Sequence, residues 1–286
     1  MFCKQLSCLT LFLGLVLVAC SNPVDAVLIT PEAASTVQVM VASDDILPGA
    51  PRIPFILFDG TERVSSAQSV SLTAFDLSED PPVAGWTGAA TGYNDYEVPY
   101  WVAYPNIPQA GFWGLAADIT LADGTVTQAQ FVIDVKEASE SPNVGDMAVA
   151  SENRTLASEP DISKLSSDHE PNPAFYELTV KEALANKRPS VVSFTTPAFC
   201  QTAICAPVLD SAKVVYESLG DEVNFIHIEV YKQFNPELVL ADEMSEWNLA
   251  TEPWTYVLDD SGRIAARLGG PVSPLELTAV LEPLLP

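Results

Sequence analysis

The chemistry available to this 286-residue chain concentrates at two thiols, Cys200 and Cys205, separated by Gln201-Thr202-Ala203-Ile204. The thiolate is the nucleophile and metal ligand of a cysteine, and it forms readily where unpaired N–H groups at a helix N-terminus supply positive potential. The neighbouring residues predict such a place. The apolar strand Ser190-Val191-Val192-Ser193-Phe194 runs into Thr195-Thr196-Pro197-Ala198-Phe199 just ahead of Cys200, and Cys205 stands before a helix expected from about Pro207 to Leu219. Inside a regular helix two Cα atoms five residues apart lie about 8–9 Å from each other, beyond the roughly 7 Å that a disulfide tolerates. A bridge therefore requires Cys200 to sit in the loop or the first helical turn to unwind. The loop is the expectation, because Gln201 to Ala203 can bend and Pro207 is a natural early-helix residue.

The elements that must position these thiols read as helix, strand, helix, strand, helix, two strands, helix. Thr179 and Glu182 form a capping box before a helix reaching about Asn186, and Pro189 precedes the first strand. A second strand is expected from Val223 to Val230. A hairpin follows at Trp254 to Leu258 and Arg263 to Leu268, turned by Asp259-Asp260-Ser261-Gly262. Ser273, Pro274 and Glu276 supply the N-cap, N1 and N3 residues of the last helix.

From Pro189 to Leu285, about a third of the chain, this segment resembles a thioredoxin-like domain of the membrane-anchored bacterial (TlpA-like) kind. Three pieces match in order: an apolar strand leading into a cysteine pair at a helix start, a proline preceding a strand, and a strand-turn-strand ending. The middle piece, Thr251-Glu252-Pro253-Trp254-Thr255-Tyr256-Val257-Leu258-Asp259, is similar to the family's cis-proline segment. The resemblance implies that Pro253 is a cis-proline lying against the cysteines. Because Cys200 follows the mouth of the strand and Cys205 comes just before the helix, Cys200 is expected to be the attacking thiol and Cys205 the resolving one. Four residues separate the cysteines where the family has two, and Phe199 replaces the family's Trp. Ser193 or Phe194 stands where many members carry a buried acid, so the usual proton acceptor is missing. Alternation puts Phe225, His227 and Glu229 on one face of the second strand, which makes His227 or Glu229 a candidate relay. A lone strand histidine is otherwise a satisfied core residue.

From Ser35 to about Val135 short period-two runs alternate with turns, as in Thr36 to Val41, Ser69 to Phe75 and Gln128 to Ile133. Asp59-Gly60 and Asp123-Gly124 mark hairpins. Seven or so strands without a helical pattern predict an immunoglobulin-like β-sandwich. Trp86, Tyr93, Tyr96, Tyr100, Trp101, Tyr104, Phe112 and Trp113 cluster here, as core filling or as a binding platform. Between Lys136 and Pro173 the periodicity stops and Ser, Glu, Asp, Asn and Pro accumulate, which predicts an extended acidic linker with His169 solvated.

Thirteen Lys and Arg against 38 Asp and Glu give a net charge of −25, which disfavours nucleic acid and anionic surfaces as partners. Leu9 to Val18 is apolar, follows Lys4, and ends at Leu17-Val18-Ala19-Cys20, which looks like a bacterial lipobox. Ten apolar residues are too few to span a bilayer. The expectation is a cleaved leader that takes Cys3 and Cys8 with it, and lipid on Cys20 holding the protein outside the cytoplasm. The expected organisation is a signal peptide (1–19), a tether (20–34), an immunoglobulin-like sandwich (35–136), an acidic linker (137–172) and an α/β thioredoxin-like domain (173–286).

The expected function is a lipid-anchored extracytoplasmic thiol-disulfide oxidoreductase that acts on protein thiols or disulfides of the envelope, without a cofactor and without a bound metal. Thr196-Pro197-Ala198-Phe199-Cys200 with Cys205 also resembles peroxiredoxins of the bacterioferritin-comigratory type, which use four intervening residues. Cys200, Cys205 and a histidine resemble the ligand set of Sco-type copper chaperones. A permanent bridge in a non-catalytic scaffold is the remaining alternative.

Overall fold

In the strand Ala67–Asp76 the side chains of Val70, Leu72 and Ala74 are buried while their neighbours are not, and the same alternation recurs along Gly111–Leu121 at Trp113, Leu115, Ala117 and Ile119. These two strands pair antiparallel with Val70 opposite Ile119. Their apolar faces therefore form one surface that must be covered. The structure, a computed structural model, describes residues 36–285. The leader, the tether and Cys20 lie outside the described residues.

Nine strands build the first half: β1 (Val37–Val41), β2 (Ile53–Asp59), β3 (Glu62–Arg63), β4 (Ala67–Asp76), β5 (Val83–Ala89), β6 (Thr91–Tyr93), β7 (Tyr100–Ala103), β8 (Gly111–Leu121) and β9 (Val126–Val135). One sheet runs β1-β2-β7-β6 with β3 on β2, and the other β5-β4-β8-β9. Phe55 and Leu57 of the first sheet meet Leu72, Trp113 and Leu115 of the second in one core. Gly60 and Gly124 take positive φ at the two expected turns, a conformation that costs glycine little.

The second half contains α1 (Val180–Ala185), β10 (Ser190–Thr195), α2 (Cys205–Leu219), β11 (Asn224–Glu229), β12 (Tyr231–Gln233), β13 (Val239–Leu240), α3 (Asp242–Glu246), β14 (Trp254–Leu258), β15 (Ile264–Gly269) and α4 (Pro274–Leu281). Its four-stranded sheet is ordered β11-β10-β14-β15. β10 and β11 are parallel and joined through α2, whereas β14 and β15 are antiparallel. This is the strand order of a thioredoxin-like domain. The capping box at Thr179 and Glu182 is formed, and Ser273 caps α4. No helix among the described residues is long and apolar enough to cross a membrane.

Two features differ from the sequence expectation. Residues 137–172 are packed rather than extended: Gly145 and Ala148 hydrogen-bond Ile264 and Gly262 beside the β14–β15 turn, and Leu165 enters the core with Phe175 and Val191. Apolar residues spaced too widely to show a period find separate niches on a neighbouring surface. The aromatic cluster also divides. Trp101 and Trp113 fill the sandwich core, but Tyr93 and Tyr96 surround Tyr100, and Tyr100 packs with Ile56, Val98 and Val102 against Ile204 and Val208 at the start of α2.

That contact is reinforced by a buried ion pair. Arg52 binds both carboxylate oxygens of Glu276, at 2.7 and 2.8 Å, and donates to the carbonyls of Gly269 and Pro271. The hydroxyl of Tyr100 donates to Glu276 at 2.5 Å and accepts from the Ser273 N–H. The described residues thus form a single compact unit.

Candidate functional site

Cys200 lies in the loop after β10, and Cys205 is the first residue of α2. The chain between them turns at Ala203, whose φ of +54° is left-handed. This bend returns Cys200 to the helix start, where the Cys205 N–H donates to its Sγ at 3.4 Å. Thr202 Oγ1 lies 3.3 Å from the same sulfur. Cys200 is partly exposed and Cys205 fully buried, and both are free thiols.

The electrostatics separate the two sulfurs. The Cys205 thiol donates a hydrogen bond to Cys200, and with Thr202 and the backbone N–H groups of Cys205 and Ile204 it brings the Cys200 pKa down to about 4, against the opposing effect of burial. The same bond and burial push the Cys205 thiol well above its usual range. Cys200 is therefore the thiolate and Cys205 the proton carrier of the pair.

Three more elements surround the sulfurs. The Glu252-Pro253 peptide bond is cis, and a carboxylate oxygen of Glu252 and the two sulfurs all lie within 4.8 Å of one another. Burial and the Cys200 charge raise the Glu252 pKa. Phe199 packs edge-on to Tyr231 and tilted on Phe234, which forms an aromatic flank. A cleft of about 230 Å³ runs between the Thr202, Ile204 and Pro253 side and the Met40 to Asp44 end of β1.

The expected relay residues sit elsewhere. His227 is buried, accepts from the Tyr176 hydroxyl at Nδ1 (2.6 Å), and donates from Nε2 to the Thr195 carbonyl (3.1 Å). Burial lowers its pKa, so the imidazole is neutral. Glu229 accepts from the N–H and hydroxyl of Ser167, and the Ser167 hydroxyl accepts from the Ala198 N–H. It thus fixes the loop leading to Cys200 through Ser167. Neither residue belongs to the cluster around the sulfurs. No histidine joins the cysteines among the described residues, so the Cys-Cys-His set of a copper chaperone is not assembled, and His169 is exposed. Sequence reasoning passed over Glu252 and Tyr231. The signal for Glu252 was its place immediately before Pro253.

No family model matches the chain, and neither does any curated protein. Among solved structures it is similar to a thiol:disulfide interchange protein of the thioredoxin family from Chlorobium tepidum TLS, at 14% identity and TM-score 0.34, over 53% of this chain and 100% of that one. StoA from Bacillus subtilis matches at 17% identity and TM-score 0.28, over 33% of this chain and 83% of that one. CopC from Methylosinus trichosporium OB3b matches at 13% identity and TM-score 0.25, over 34% and 88%. These likenesses are too distant to carry a residue's role from one chain to another.

Proposed function

We propose that this protein is a thiol-disulfide oxidoreductase that acts outside the cytoplasm on protein thiols or disulfides, held to a membrane by lipid on Cys20. The observation that carries the proposal is the asymmetry of the pair: a partly exposed Cys200 thiolate hydrogen-bonded by the thiol and N–H of a buried Cys205, with the carboxylate of Glu252 close to both sulfurs. In the reductive direction the Cys200 thiolate attacks one sulfur of a substrate disulfide, which forms a mixed disulfide and expels the other sulfur as a thiolate. Cys205 then loses its proton and attacks Cys200 Sγ. The Cys200–Cys205 disulfide forms, the second substrate thiolate leaves, and two electrons have passed from protein to substrate.

In this reading the N-terminal half is an immunoglobulin-like sandwich that braces α2 through Ile204 and Val208. Copper delivery is disfavoured by the engagement of His227 with Tyr176 and Thr195. The test is turnover of a chromogenic disulfide by the full chain in the presence of a reductant. Cys200→Ser is expected to abolish turnover; undiminished turnover would contradict the assignment.

A further inference from the structure

The exchange reaction needs an acceptor for the proton of Cys205, and the strand that supplies one in related domains does not do so here. β10 carries Ser193 and Phe194 at the relevant positions. Ser193 pairs with His227 and Thr255 across the sheet, and the Phe194 ring packs at a tilt against Trp247. The ionisable groups on β11 stand outside the cluster that Glu252 forms with the sulfurs: His227 bonds Tyr176 and Thr195, and Glu229 bonds Ser167 through one carboxylate oxygen.

One carboxylate does reach the sulfurs, from the other side. We infer that Glu252, the residue before Pro253, is the base that takes the Cys205 proton when Cys205 attacks the mixed disulfide on Cys200. The inference rests on the exchange reading above and deepens it.

Three observations support this role. The Glu252 carboxylate and both sulfurs lie within 4.8 Å of one another, near enough for transfer directly or through one water. Glu252 is half-buried and also lines the cleft, so the proton has a way out to solvent. Its raised pKa makes it a stronger base than a surface glutamate, while the buried Cys205 thiol does not ionise without help. The charged or titratable groups facing this point are Cys200 and Cys205 from the loop and α2, Tyr231 from β12, and Asp44 beyond Thr251 on the β1 side.

The step balances as follows. Glu252 as carboxylate accepts the Cys205 proton, and the Cys205 thiolate displaces the substrate thiolate from Cys200 Sγ. The substrate sulfur leaves as a thiolate, and Glu252 gives the proton up to solvent through the cleft. Glu252 ends as it began, and the electrons move only among the sulfurs.

Ellman's disulfide reads the two attacks separately, because each releases one chromophoric thiolate. With the reduced full chain the first release reports Cys200 and the second Cys205. Glu252→Gln is expected to slow the second release about a hundredfold. It should also remove the carboxyl inflection from that phase's pH profile, so that its rate rises only with hydroxide, and Glu252→Asp should restore part of the rate. A second release in Glu252→Gln as fast as in the parent, with the same pH profile, would overturn the role. So would an equal slowing of both phases accompanied by a lowered melting temperature, which marks a structural effect. Absence of any second release in the parent would instead defeat the exchange reading itself.

Discussion

The backbone N–H of Cys205 points at Cys200 Sγ across 3.4 Å, so the first amide of α2 hydrogen-bonds the sulfur that precedes the helix by five residues. A four-residue spacer permits this because the chain reverses at Ala203 instead of continuing as helix. The acidity of Cys200 and the loop that carries it are parts of one geometry.

Reactivity follows from that acidity. With a pKa near 4, Cys200 is fully ionised above about pH 5.5, whereas Cys205 stays protonated through neutrality. Iodoacetamide at pH 6 is expected to label one thiol of the reduced protein, with a rate flat from pH 6 to 8. Mass spectrometry should place the label on Cys200. A rate that climbs towards pH 8.5, the ordinary thiol range, would refute the geometry.

The left-handed bend at Ala203 offers a second test. An L-residue in that conformation costs about 1–2 kcal/mol relative to glycine. Ala203→Gly should therefore raise stability by about 0.5–1 kcal/mol once the extra freedom of the unfolded glycine is offset. Ala203→Val should lower it. Urea unfolding of reduced protein measures both, and a destabilised glycine variant would speak against the bend.

Joining of the two halves depends on Arg52. Its removal leaves the Glu276 carboxylate buried with Tyr100 as its remaining side-chain donor, a defect of about 3–5 kcal/mol. Arg52→Ala is expected to lower the unfolding midpoint of the whole chain in one transition. Retention of full stability, or unfolding of one half alone, would contradict the shared interface.

His227 is placed as a core residue, and that placement has a pH signature. Its folded pKa is lowered, so the stability it contributes is complete above the unfolded value of about 6.5 and declines as pH falls towards the folded value. His227→Gln should lose about 1–3 kcal/mol at pH 7.5 and show a shallower decline below pH 6.5. Its exchange rate should stay within about twofold of the parent below the melting range. Loss of turnover in a folded variant would return His227 to the role of relay.

What the sequence disclosed was whatever repeats or punctuates. Alternation revealed the strands of the first half and short apolar runs those of the second, Thr179 with Glu182 and Ser273 with Pro274 marked helix starts, and Asp59-Gly60 and Asp123-Gly124 marked turns. The placement of Cys200 in a loop was legible because a regular helix holds the two cysteines too far apart to bridge and Pro207 marks an early-helix position. Contacts between distant segments were not legible. Nothing local marks Arg52 as the partner of Glu276, or Tyr100 as a neighbour of Ile204. The polar composition of residues 137–172 concealed how few apolar side chains suffice to seat a segment on an existing surface. Glu252 was overlooked because its local mark, a place beside Pro253, gains a meaning only when the fold brings the carboxylate to the sulfurs.

The most direct measurement is an equilibrium titration of the Cys200/Cys205 couple in the full chain against glutathione or dithiothreitol, read by thiol alkylation and mass shift. An acidic Cys200 favours the reduced state, so the couple should titrate as a single two-electron transition at a potential of roughly −100 to −300 mV. A bridge that stays closed below about −300 mV, or two thiols that never bridge, would contradict exchange at this site.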